Sequence, residues 1–217
     1  MSATDAAADF PPHPHTDRTG DTGVRVHPLI AARWSPRNLD PAAEVTSAEL
    51  LAAVEAARVA ASWGGTFPVR FLAGLRGDPT HTALSAVLDD GNAWATEAGA
   101  LLLVAAQTTN AKGEMPYALF DAGLAVAQLS LQAVAEGLVS HPMSGFAPEA
   151  ARAAFAVPDG FTPVVVVALG RLRAGEHPDP EIAARDRTPR PRPDLAATVF
   201  TGSWGTPLPA AAPRTTP

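Results

Sequence analysis

The 217-residue chain has no cysteine, a single lysine (Lys112) and a single tyrosine (Tyr117). Without cysteine there can be no disulfide, no thiolate metal site and no thiol nucleophile. Its two uncharged apolar stretches, 98–111 and 122–135, fall short of the roughly 20 residues that span a bilayer. Both contain Gln with Thr or Ser, so they are expected to be buried core elements. Met1–Phe10 has neither the basic start nor the apolar centre of a secretory signal. Positive charge is scarce: 16 Lys and Arg stand against 22 Asp and Glu, a net charge of −6. That balance argues against a nucleic-acid or anionic-membrane partner. There is no G-x-x-x-x-G-K-[ST] phosphate loop, no G-x-G-x-x-G before a helix, no H-E-x-x-H and no G-x-S-x-G. A cytoplasmic globular protein of one domain with tails is the expectation, since 47% of residues are hydrophobic.

The residues present fall into a Pro/Gly/His-rich arm (1–27), a structured body (28–173) and a Pro-rich extension (174–217). His13 and His15 lack a third ligand in register, so the arm reads as a solvated tail and no metal site is expected. The extension is expected to wrap around something in an extended form. In the body, Thr46 and Glu49 form a capping box that opens a helix running to about Ser62. Trp63-Gly64-Gly65-Thr66 is a glycine loop, and Val69–Leu75 reads as a strand with Val69, Phe71 and Ala73 on one face. Asp78 and Pro79 open a second helix toward Leu88. Ala100–Gln107 and Pro163–Gly170 read as buried strands, and Ala147–Phe155 as a short helix. Residues 117–137 form a helix apolar nearly all round, which must be covered on every side. Helices and strands interleave without βαβ regularity, which predicts an α+β or mixed layered fold.

Almost all positive charge is arginine, which is permanently protonated and grips phosphate bidentately. Arg33, Ser35 and Arg37 alternate, so on an extended segment they point one way. Arg190 and Arg192 repeat that alternation near the other end of the chain. Two such pairs in an acidic protein point to one phosphate-bearing ligand; pairing with nearby carboxylates is the plainer alternative. His141 is a possible proton donor, or an incidental loop histidine.

Taken in order, RWSPRNLD (33–40), EAARVAAS (55–62), PVRF (68–71), GNAW (91–94), DAGLAVAQLSLQAVAEGL (121–138), HPMSGF (141–146), FTPVVVVALG (161–170) and RTPRPRPDL (187–195) resemble the nitroreductase family. The resemblance spans about residues 28–205. It implies a three-layer α+β fold, a central mixed, mainly antiparallel sheet flanked by helices, and an intertwined homodimer holding FMN at its interface. By that resemblance Arg33, Arg190 and Arg192 clamp the FMN phosphate and Ser35 bonds the phosphate or ribityl end. Arg37 would face the N1/O2 edge, where a guanidinium stabilises the charge of reduced flavin. Pro142, Met143, Ser144 and Gly145 would lie along the ring, Thr96 would approach its edge, and Ser62 and Gly65 would come from the flavin-contacting loop, Ser62 from the partner subunit.

That loop departs from the family pattern. Ala61 stands for the usual Pro, Gly65 for Asn, Phe67 for Gln and Val69 for Trp. Trp63 and Phe67 could line a substrate pocket; for them and for Trp94, packing is the alternative. The implied activity is an FMN-dependent oxidoreductase passing hydride from NADH or NADPH, through flavin N5, to an electron-poor acceptor such as a nitroaromatic or quinone. No catalytic side chain is expected, because the cofactor carries the chemistry. The alternatives are a flavin-dependent dehydrogenase of a biosynthetic intermediate, or a non-catalytic dimer with weakened FMN binding.

Overall fold

A computed structural model describes Val24 and residues 26–209; the two histidines of the N-terminal arm lie outside them. Four antiparallel strands form the centre in the order β1-β2-β6-β5. They are β1 (Val69–Leu75), β2 (Ala100–Gln107), β5 (Val139–Met143) and β6 (Phe161–Gly170), and a small hairpin pairs β3 (Thr109–Asn110) with β4 (Gly113–Glu114). The continuous apolar runs of β2 and β6 occupy the middle of the sheet because both of their faces are covered. Leu102, Val104, Val167 and Leu169 face α2 (Ser47–Arg58) and α4 (Ala118–Ala135). Leu101, Leu103, Val166 and Ala168 face the other layer, which holds Leu84 of α3 (Pro79–Ser85), Trp94 and Ala151 of α5 (Pro148–Phe155). Helix, sheet and helix therefore make a three-layer α+β fold.

Local signals explain most of these elements. Thr46 and Glu49 close the capping box of α2, and Arg171 pairs with Glu49 from across the fold. Burial would raise the Glu49 pKa, but the bonds from Thr46 and the Arg171 charge bring it below the ordinary carboxylate value. Helix α2 stops at Arg58, short of Ser62, because the Ser62 hydroxyl and the Trp63 N–H turn aside to bond Asp121. Asp78 precedes α3, yet its carboxylate accepts from the Leu75 N–H at 3.0 Å and does not cap the helix. Ala73 is exposed although Val69 and Phe71 pack on the core, since β1 is an edge strand.

Besides the β3–β4 hairpin, three elements escape the reading by pattern. Strand β5 contains Pro142, which lacks a ladder donor and is tolerated because β5 is the opposite edge. Helix α6 (Pro180–Arg187) lies inside the Pro-rich extension, capped by Asp179, whose carboxylate accepts from the Glu181 N–H at 2.8 Å. The short α1 (Pro28–Ala32) leads straight into Arg33. Helix α4 is 18 residues long and is the one described helix apolar enough to cross a membrane, but it packs on the sheet and α2. It is not covered on every side: Ala122, Ala125, Leu129 and Ala133 are buried, while Leu119 and Phe120 stand exposed.

Candidate functional site

Two cavities hold many of the residues singled out in the sequence. The first, about 580 Å³, lies where segment 33–37 meets segment 185–192. Arg33, Ser35 and Arg37 reach it from the extended segment after α1, Arg185 and Asp186 from α6, and Arg190 and Arg192 from the segment after α6. Five guanidinium groups thus face one carboxylate. Burial, and then the charge of Arg192, lower the Arg33 pKa from its ordinary value. Arg33 Nη1 lies 3.4 Å from the Ser35 hydroxyl. The Arg190 guanidinium sits 5.5 Å from the centre of the buried Trp34 ring, and Arg192 Nη1 donates to the Arg190 and Pro191 carbonyls at 3.2 Å. Like charges brought together partly out of water are stabilised by a multivalent anion, and a phosphate presents the oxygens that guanidinium forks match. The residues present fit such a group.

The single carboxylate is already committed. Asp186 accepts from the Arg37 N–H (3.1 and 2.9 Å) and the Asn38 N–H (2.9 Å), and lies 3.7 Å from Arg37 Nη1. His141, on β5, lines the same cavity. Its Nδ1 is 2.9 Å from the Pro36 carbonyl, which can only accept, so the proton sits on Nδ1. Its ring packs on Trp94 with centres 4.7 Å apart. Burial, followed by the Pro36 bond in opposition and the nearby Arg37, keeps the His141 pKa below the ordinary histidine value.

The chain continues from His141 into Pro142–Gly145, which does not line this cavity. The Met143 side chain is buried in the core, so only its backbone is available to a ligand. Ser144 is exposed. Gly145 packs closely on Asn92: a Cβ there would stand 2.6 Å from Asn92 Nδ2, and the Gly145 carbonyl accepts from that amide (2.8 Å) and from the Asp89 N–H. Thr96 is exposed on a 3-10 segment, its hydroxyl donates to the Ala93 carbonyl at 2.8 Å, and it does not line the arginine cavity.

The second cavity, about 450 Å³, lies beside the glycine loop and is lined by Ala61, Ser62, Phe67, Val69, Phe71 and residues of α2 and α4. The buried carboxylate of Asp121 organises it. Asp121 accepts from the Ser62 hydroxyl (2.9 Å) and the Trp63 N–H (3.0 Å), and Ser62 Oγ in turn accepts from the Phe67 N–H (2.9 Å). Gly65 has φ +67°, a left-handed conformation that Asn also tolerates, so the loop keeps its turn without the side chain. Phe67 adopts φ +45° and lines the cavity. Trp63 does not line it; the ring stacks on Tyr117 with centres 5.2 Å apart. Trp94 is core. Within one chain, Ser62, Gly65 and Phe67 are therefore not gathered with the arginines. Among the described residues no cluster of three or more His, Asp or Glu could hold a metal ion.

Sequence reasoning passed over Asp121 and Asp186. A carboxylate in an otherwise apolar helix is a signal for Asp121, whereas nothing local separates Asp186 from the charged residues around it.

In this layered α+β chain, segments 33–37 and 185–192 meet at an arginine-rich cleft whose charge suits an anion. The nitroreductase family model matches residues 80–171. A structure described as an oxidoreductase containing FMN is 30% identical, covers 86% of this chain and 96% of its own, and superposes with a TM-score of 0.80. A nitroreductase family protein from Clostridium difficile 630, 22% identical over 81% of this chain and 96% of its own, shares the fold with a TM-score of 0.63. An uncharacterized 15.4 kDa protein of Mycolicibacterium smegmatis is 46% identical over 148 residues, which is 64% of this chain and the whole of that protein. The chain belongs to the nitroreductase family.

Proposed function

We propose that the protein is an FMN-dependent oxidoreductase that uses NADH or NADPH to reduce an electron-poor acceptor such as a nitroaromatic or a quinone. The observation that carries this reading is the convergence of Arg33, Arg190 and Arg192 on one cavity from opposite ends of the chain. Their guanidinium groups would hold the FMN phosphate, with the Ser35 hydroxyl beside them. Arg37, held by Asp186, would set a fixed positive charge at the N1/O2 edge. Bound FMN would supply hydride transfer between the nicotinamide and the acceptor. Residues 28–173 would form the binding domain, with the extension 174–217 contributing the second half of the clamp.

The homodimer belongs to the same proposal. Leu119 and Phe120 of α4, with Trp63 and Phe67 of the glycine loop, leave an apolar surface exposed on a single chain. Leu195, Val199, Trp204 and Leu208 of the extension are equally exposed. Packing two copies would cover both and bring Ser62 and Gly65 of one protomer, with Thr96 and the Pro142–Gly145 loop, toward the arginine cavity.

Purified protein is expected to be yellow, with a flavin absorption band that bleaches when NADH or NADPH is added without air. Colourless protein that takes up no added FMN would favour the non-catalytic dimer. Flavin that neither nicotinamide bleaches would favour the dehydrogenase.

A further inference from the structure

The two halves of the arginine cleft are far apart in the sequence, and one side chain joins them directly. Asp186 sits on α6, 149 positions from Arg37. Both carboxylate oxygens are spent on the backbone of the other half: the Arg37 N–H reaches both and the Asn38 N–H reaches Oδ2. Side-chain exposure at Asp186 is only 10%, so water offers little substitute for these bonds. A parallel tie runs from the Asn38 side-chain amide to the Gly175 carbonyl at 2.7 Å. Segment 33–38 and the extension are therefore docked on each other at the point where their arginines face.

Charge alone would give Asp186 the opposite role. A carboxylate among five guanidinium groups lowers the positive potential that an incoming phosphate meets, so its removal would tighten anion binding. The bonding pattern argues for position over potential. Without the carboxylate, two part-buried N–H groups lose their acceptor and α6 loses its hold on segment 33–38. Arg190 and Arg192, which follow α6, then lose their register against Arg33.

We propose that Asp186 is a positioning residue that assembles the phosphate clamp by locking the extension onto the segment carrying Arg33 and Arg37. This rests on the flavin reading of the site. The test is an FMN titration, followed by quenching of flavin fluorescence, of flavin-stripped full-length protein in the wild type, Asp186→Asn and Asp186→Glu. Asp186→Asn keeps the shape but turns one of the two acceptor oxygens into an NH2 donor that faces the same backbone N–H groups, and is expected to weaken FMN about tenfold or more with the secondary structure intact. Asp186→Glu, which keeps a carboxylate, is expected to recover part of that loss. FMN bound by Asp186→Asn as tightly as by the wild type, or more tightly, overturns the inference and leaves the flavin reading standing. A wild type that binds no FMN overturns the flavin reading and takes this inference with it. Should Asp186→Asn fail to fold, amide hydrogen exchange on the wild type decides. The Arg37 and Asn38 amides must be protected and slow further with FMN, and rapid exchange at both overturns the proposal.

Discussion

The two cavities are built on opposite principles. The arginine cleft gathers charge from sequence-distant segments and holds it with one carboxylate, whereas the cavity beside the glycine loop is mostly apolar, with Arg58 and Arg70 in its lining, and hangs from one buried acid on α4. In the first, Asp186 accepts from two backbone N–H groups and faces a guanidinium. In the second, Asp121 accepts from a hydroxyl and a backbone N–H. The difference separates a cleft rich in like charge from a cavity whose one buried acid keeps its own loop in shape.

Removing the arginines should break this contrast most severely. The double variant Arg190→Ala, Arg192→Ala is expected to lose FMN affinity by about a hundredfold or more while the fold persists. The flavin-to-protein absorbance ratio after purification measures this, and unchanged occupancy would refute the clamp. At the other cavity the effect should be on stability. Asp121→Ala strands the Ser62 hydroxyl and the Trp63 N–H, with an expected cost of about 1–3 kcal/mol in denaturant unfolding. If phosphate affinity fell as far as stability, the two regions would not be independent.

A pH series sharpens the comparison with a smaller effect. Burial lowers the pKa of both His81, whose Nε2 bonds the Ala98 carbonyl, and His141. The unfolded chain therefore binds protons more readily than the folded one. Stability is fully present above the ordinary histidine pKa of about 6.5 and is lost as pH falls below it. The melting temperature should drop between about pH 7 and pH 5. His141→Gln should flatten part of that drop, and bound phosphate, which favours the charged ring, should flatten it in the wild type.

Much of the fold was legible because its signals are local. The capping box at Thr46 and the apolar runs of β2 and β6 mark their elements without tertiary information. Strand β5 was hidden by Pro142 and His141, residues that only an edge position and a cleft make sensible. Helix α6 was hidden by its Pro-rich surroundings, although Asp179 followed by Pro180 is a helix-start signal. At the site, alternating arginines pointed to one cavity, but their pairing through Asp186 is a tertiary fact that no spacing encodes. The open apolar face of α4 shows a limit of another kind: an all-round apolar helix states that it must be covered, not by which chain.

The scarcity of lysine has a practical consequence. Lys112 lies exposed at the tip of the β3–β4 hairpin, its backbone N–H bonded to the Asn110 side chain at 2.8 Å, and does not line the arginine cleft. Amine-directed reagents thus find one side-chain target, outside the cleft, while the guanidinium groups within it do not react. A fluorophore or surface tether attached there would report on the protein without touching the groups proposed to hold its ligand.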